Sequence, residues 1–131
     1  MSKTTSSFIA DAILLQRLEG LAALVLGVVA YAWLGQSWWV FALLFLAPDL
    51  AMLGYLRSPR VGALTYNLGH TYAAPAVLAL AGLALGPLAF GLAAIWTAHI
   101  GFDRLLGYGL KLEAGFEQTH LGPIGKARRA R

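Results

Sequence analysis

VGALTYNLGHTYAAPAVLALAGLALGPLAFGLAAIWTAHIGF, residues Val61 to Phe102, contains no Asp, Glu, Lys or Arg. An α-helix needs roughly 20 apolar residues to cross a hydrocarbon core. The run is therefore long enough for two crossings, and Gly86-Pro87 punctuates it near its middle. A second charge-free run lies between Glu19 and Asp49, divided at Gly35-Gln36-Ser37. The whole chain of 131 residues is 59% hydrophobic and 12% charged, against about 25% charged for an average soluble domain. Its mean hydropathy is +0.67. These features read as an integral membrane protein.

The punctuation predicts four spans, at about residues 12–34, 38–56, 61–85 and 88–110, and a polar tail over 111–131. The 1–2 and 3–4 connections carry no Lys or Arg. Lys3 precedes span one, Arg57 and Arg60 flank the 2–3 connection, and the tail holds Lys111, Lys126, Arg128, Arg129 and Arg131. By the positive-inside rule both termini and the 2–3 connection are cytoplasmic, which places the chain as a multi-pass protein of the cytoplasmic (inner) membrane. Trp33, Trp38 and Trp39 then form an aromatic belt at the outer interface. Short connections imply antiparallel neighbours, so the expected fold is all-α: one domain over residues 1–131, an integral-membrane, up-down four-helix bundle.

Other classes are excluded by composition. There is no cysteine, hence no disulfide, zinc-thiolate site or thiol nucleophile. The N-terminal MSKTTSSFIADAILLQ lacks a signal-peptide pattern, because Asp11 interrupts its apolar run. The net charge of +4 sits at helix ends; it reads as a topology determinant with the bilayer as partner, not as a nucleic-acid surface.

Counting 1.5 Å per residue from the cytoplasmic ends gives depth. Glu19 lies about 12 Å in, Asp49 about 12 Å, His70 about 15 Å, Asp103 about 12 Å and His99 about 18 Å. All the intramembrane ionisable residues thus fall in one cytoplasmic-side layer, to which every span contributes. His99 and Asp103 are i,i+4 on one face with Trp96, and Asn67 and His70 are i,i+3 on another, with Tyr66 alongside. Pro48 removes a backbone donor just before Asp49, which predicts a kink there. The expected site is a polar cup of Glu19, Asp49, Asn67, His70, His99 and Asp103. Arg17 and Arg104 lie off the faces of Glu19 and Asp103, where they snorkel to the interface or fold back to pair. Tyr66 and Tyr108 are further candidate binding residues.

Intramembrane ionisable groups read by default as functional. As a membrane-embedded enzyme, Asp49 and Asp103 would act as an acid/base pair on a lipophilic small molecule, tuned by His70 and His99. As a metal site, His99 and Asp103 would be an i,i+4 ligand pair completed by His70, Asp49 and Glu19. The E-x-x-H pairs of di-iron bundles are absent, however: neither Glu19 nor Asp49 has a His three residues on. A proton-coupled transporter is a third reading. The outer half offers it no polar path, and Gly82-x-x-x-Gly86 suggests tight packing there. The bland alternative is a neutralised network that glues the helices together. In the tail, Phe116, Leu121 and Ile124 suggest a segment lying on the membrane surface, with His120 over the cup and a basic end that anchors to anionic lipid. The sequence names no cofactor or substrate, and a homo-oligomer is compatible with it.

The segments PDLAMLGYLRSPRVGALTYNLGHTYAAP, AHIGFDRLLGYGLK and THLG, in that order, resemble a family of small bacterial membrane proteins known as domain of unknown function 4260. The resemblance runs from LLQRLEG to GKARR. The positions that carry it are Arg17, Glu19, Asp49, Tyr55, Arg60, Asn67, His70, His99, Asp103, Arg104 and Tyr108. It implies a four-helix membrane protein and assigns no activity to any of these residues.

Overall fold

The computed structural model describes residues 11–130. Two topology-bearing residues named above, Lys3 and Arg131, lie outside them. Helix α1 spans Ala12–Leu34 and is capped at both ends. The Asp11 carboxylate accepts from the Ile13 and Leu14 amides, 3.1 Å each, and Gly35 closes the helix at φ 65°. The next apolar stretch is irregular. Helix α2 covers Trp38–Leu44, and after a break at Phe45–Leu46 the chain continues as a 3-10 segment, Ala47–Leu56. Pro48 sits in the first turn of that segment, where its missing N–H costs nothing. The kink expected before Asp49 is thus present as a change of helix type.

The third stretch is broken. Helix α3 covers Pro59–Gly69 and α4 covers Ala73–Leu85, bent by 43° from each other. Pro75 explains the break: in a continuous helix its ring would clash with the Thr71 carbonyl and its missing N–H would leave that carbonyl unbonded, whereas in the first turn of α4 neither cost arises. Helix α5, Pro87–Leu106, starts at a proline and stops at Gly107, φ 88°. There the Tyr108 amide bonds the Asp103 carbonyl at 2.8 Å and the Gly107 amide bonds Arg104 at 3.0 Å, the two bonds of a Schellman stop. The fourth helix is therefore shorter than the expected 88–110.

The tail departs most from expectation. It folds as an antiparallel hairpin, β1 (Lys111–Leu112) with β2 (Gly115–Thr119), followed by a one-turn helix α6, Gly125–Arg129. The protein is mostly helical, but not all-α.

By length and hydropathy α1 and the 38–56 stretch each qualify as a membrane span, and the bent pair α3–α4 makes a third if counted as one. Their apolar side chains face outward: Leu26, Leu43, Leu53, Val77 and Leu83 are all exposed. That is the surface expected of helices solvated by lipid rather than water. Helix α5 is the buried centre, with eleven of its residues inside. It packs against α1 on one side and α4 on another, while α3 folds back along the 3-10 segment and carries the tail hairpin.

Glycines let α1 approach α5. A Cβ on Gly20 would lie 2.5 Å from the Arg104 Cβ, and one on Gly27 would lie 2.8 Å from the Ala94 carbonyl oxygen. The facing Gly101 is equally tight, 2.5 Å from the Gly20 oxygen. Close backbone approach at small residues is how helices associate where lipid removes the hydrophobic drive. Of the pair Gly82 and Gly86, only Gly82 packs, against the Phe90 ring; Gly86 is the α4–α5 turn at φ 94°.

Candidate functional site

The α1 contacts use the Ala94, Ala98, Gly101 and Leu105 side of α5. Leu92, Trp96, His99 and Asp103 lie on the other side, at helical spacing. His99 and Asp103 therefore face the 3-10 segment and the break between α3 and α4, from which Asp49 and His70 meet them.

The break positions His70, and its backbone is fully provided for. Three carbonyls freed there are taken by side chains. Tyr66 O accepts from the His70 imidazole at 2.8 Å, Gly69 O from the Trp96 indole at 2.6 Å, and His70 O from the Arg104 guanidinium at 2.8 Å. Non-helical backbone at membrane depth is tolerated only where it is satisfied in this way. The Tyr66 ring stacks flat on the His70 ring, 3.7 Å between centroids at 8°. Phe45 packs edge-on against His99, 5.5 Å away.

Four side chains converge. His70 Nε2 is 3.1 Å from Asp49 Oδ1, 3.1 Å from His99 Nε2 and 3.5 Å from Asp103 Oδ2. His99 Nε2 is 3.2 Å from Asp49 Oδ1 and 3.2 Å from Asp103 Oδ2. One donor atom from each residue lies within 4.8 Å of all the others. Both histidines and Asp103 are buried, whereas the Asp49 side chain is 31% exposed.

Protonation sharpens the picture. His70 Nδ1 faces a carbonyl that can only accept, so Nδ1 carries the proton, and in the neutral ring Nε2 presents a lone pair to the cluster. A backbone carbonyl on the outer nitrogen is the usual support of a metal-binding imidazole. His99 Nδ1 is buried without a hydrogen-bond partner among the described residues; the Phe45 backbone lies beside it, outside bonding geometry. Two imidazole Nε2 atoms and two carboxylate oxygens thus point at one another. One proton can bridge one pair of them, but a single cation can satisfy all four. Donors around a tetrahedral ion at ~2.0–2.1 Å stand about 3.3–3.4 Å apart, close to the five separations above.

The other expected members of the cup lie elsewhere. Glu19 is exposed on α1, on the far side of α5; with Gln16, Tyr72, Arg104 and His120 it lines a small polar cavity of about 160 Å³. His120 sits there too and not over the cluster, accepting from the Leu110 amide at 2.8 Å and meeting Gln16 at 3.1 Å. Asn67 clasps the hairpin: its side chain accepts from the Lys111 amide at 2.6 Å and donates to the Lys111 carbonyl at 2.9 Å. Arg17 bonds the Leu105 carbonyl at 2.8 Å, tying α1 to the end of α5. Arg104 also holds the Tyr108 carbonyl at 2.9 Å, while the Tyr108 side chain is exposed.

Residues 13–124 match the family described as Domain of unknown function (DUF4260). The chain belongs to that family. The match takes in all four cluster residues and every element from α1 to the hairpin. No curated protein and no solved structure matches the chain.

Lys111 is a feature that depth counting does not reach, because the tail is read as solvated. It is only 4% exposed, with its ammonium 3.7 Å from the Phe116 ring centroid and 4.9 Å from that of Tyr66. Burial pulls its pKa down to about 8, against the opposing pull of the Asp103, Asp49 and Glu117 charges. Gly115, whose φ of 152° favours glycine, opens β2.

Proposed function

We propose that this chain is a metal-dependent integral membrane protein, in which Asp49, His70, His99 and Asp103 together bind one divalent transition-metal ion. The observation that carries this reading is the convergence of two imidazole nitrogens and two carboxylate oxygens, with five separations between 3.1 and 3.5 Å. A nitrogen and oxygen set without thiolate suits Zn²⁺, and also Fe²⁺ or Mn²⁺. The cluster leaves room for an ion rather than an organic molecule; none of its four side chains lines the cavities of about 700, 310, 160 and 420 Å³. Four protein donors fill a tetrahedral shell, so the ion would supply Lewis acidity by expanding to a fifth ligand. His70, His99 and Asp103 would hold it from within, and Asp49, the most exposed of the four, would lie on the side where a further ligand enters. The proposal includes four spans in the cytoplasmic membrane with both ends inside, which puts the centre in the cytoplasmic half of the bilayer.

Elemental analysis of protein purified without chelator tests it. About one equivalent of metal is expected in the wild type, and His99→Ala and Asp103→Asn should lose it. No metal on purification, with no uptake of Zn²⁺, Mn²⁺ or Co²⁺ on titration, would overturn the reading. The same separations are also hydrogen-bond distances, which supports a second reading: a proton-sharing network that joins three segments of the fold. That reading expects a metal-free wild type whose melting temperature drops sharply in both Asp49→Asn and Asp103→Asn.

A further inference from the structure

An apolar slot of about 310 Å³ lies beside the cluster, lined by Leu44, Pro48, Leu78, Leu92, Ile95 and Trp96 among others. Its walls come from the segments that carry the ligands. Pro48 directly precedes Asp49, and Ile95 lies one turn before His99 on α5. Leu92, Trp96, His99 and Asp103 form one stripe, so the slot and the cluster are consecutive stations along the same helix face. The volume is at the low end of the ~300–1,000 Å³ typical of ligand pockets. On the neighbouring surface Leu43, Leu46 and Leu50 are 78%, 63% and 67% exposed. Apolar side chains so exposed belong beside acyl chains rather than water; among the slot's own walls, Pro48 adjoins Asp49 in the chain, and Ile95 and Trp96 precede His99 by four and three residues.

Resting on the metal reading above, we infer that the site takes a single-chain lipid amphiphile. Its hydrocarbon fills the slot, and its anionic, metal-ligating head reaches the ion on the Asp49 side. The slot is lined almost entirely by apolar side chains, so it selects for a tail and contributes nothing to binding a head alone. The head needs no charged pocket of its own, because the ion supplies its counter-charge. Leu78 on α4 and Leu92 on α5 line the slot from facing helices.

The experiment uses full-length protein loaded with Co²⁺, whose visible absorption reports its coordination, titrated with octanohydroxamate and with acetohydroxamate. Both probes carry the same chelating head and differ only in the tail. Octanohydroxamate is expected to shift the Co²⁺ bands and to bind at least about tenfold more tightly, through methylenes removed from water. Leu92→Trp, which fills the slot, should abolish that preference while leaving Co²⁺ content and the starting spectrum unchanged. Leu78→Phe fills the slot from the opposite wall and serves if Leu92→Trp loses Co²⁺. Equal affinity for the two probes in the wild type, or a preference that survives slot filling, overturns the amphiphile inference and leaves the metal centre standing. Failure of the wild type to take up Co²⁺ overturns both.

Discussion

Lys111 shows how one residue's placement becomes a pH dependence. Its ammonium is buried against Tyr66 and Phe116, and its pKa falls to about 8 in the folded chain, against about 10.4 when unfolded. Between those pH values the unfolded chain binds more protons, so stability rises with pH from about 8 to about 10.4, and the full penalty applies below 8. That penalty is about 3 kcal/mol as an upper bound, offset in part by cation–π attraction of about 0.5–2 kcal/mol. Lys111→Met should therefore match or exceed the wild type in apparent Tm at pH 7 and lose that advantage at pH 10. Thermal unfolding in detergent at both pH values decides it; a loss in Lys111→Met at pH 7 as large as at pH 10 would overturn the lowered pKa. The same residue marks where sequence reading stopped. A lysine just past an apolar helix reads as an interface charge, and only the backbone clasp from Asn67 turns its side chain inward.

At the level of elements, helix ends were legible because their causes are local. Asp11 before α1, Ser58-Pro59 at α3 and Gly86-Pro87 at α5 each satisfy or omit backbone donors within three residues. The break at His70 has a local cause too, Pro75, but hydropathy averages over it. Counting along the spans also put Asp49, His70, His99 and Asp103 at one level, and in the structure those four meet; direction around each helix was not legible. Glu19, counted to the same level, lies on the wrong side of α1 for the cluster, because its neighbour Gly20 faces α5 and fixes the rotation of the helix. That contact makes a prediction. A methyl group at Gly20 would stand 2.5 Å from the Arg104 Cβ and 2.7 Å from backbone atoms of Gly101 and Leu105, none of which is the free end of a flexible side chain. Gly20→Ala should cost roughly 1–3 kcal/mol through overpacking and push α1 off α5. Gly35→Ala, at φ 65° with nothing within 4 Å, should cost only the left-handed backbone strain of about 1–2 kcal/mol. Denaturation in mixed micelles would rank the two, and a Gly20→Ala no worse than Gly35→Ala would mean that this crossing is not tightly packed.

For the whole molecule, the polar and apolar features separate by end. Trp33, Trp38 and Trp39 are exposed near the α1–α2 turn, and that turn and the α4–α5 turn are joined by a 2.7 Å bond from Gln36 to the Pro87 carbonyl. The tail hairpin meets α3 and the 2–3 connection at the other end, through the exposed Arg60–Glu113 pair at 3.4 Å among other contacts. His99 and Asp103 occupy the last two turns of α5, so the cluster belongs to the tail's half of the molecule. The proposed topology, read from charge bias, puts that half on the cytoplasmic side. The absence of cysteine from the sequence makes the assignment directly measurable. In intact cells a membrane-impermeant maleimide should label Gln36→Cys, whereas Ser58→Cys and Ala127→Cys should label only after permeabilisation. Labelling of positions 58 and 127 in intact cells would invert the molecule and turn the metal centre toward the outer face. Labelling of 36 and 58 from the same side would mean that the irregular stretch from α2 through the 3-10 segment does not cross, and would place Asp49 on a re-entrant loop instead of a span. The second outcome has a physical route, because the helix type changes at Phe45–Leu46 and leaves α2 only seven residues long, too short to cross a hydrocarbon core alone.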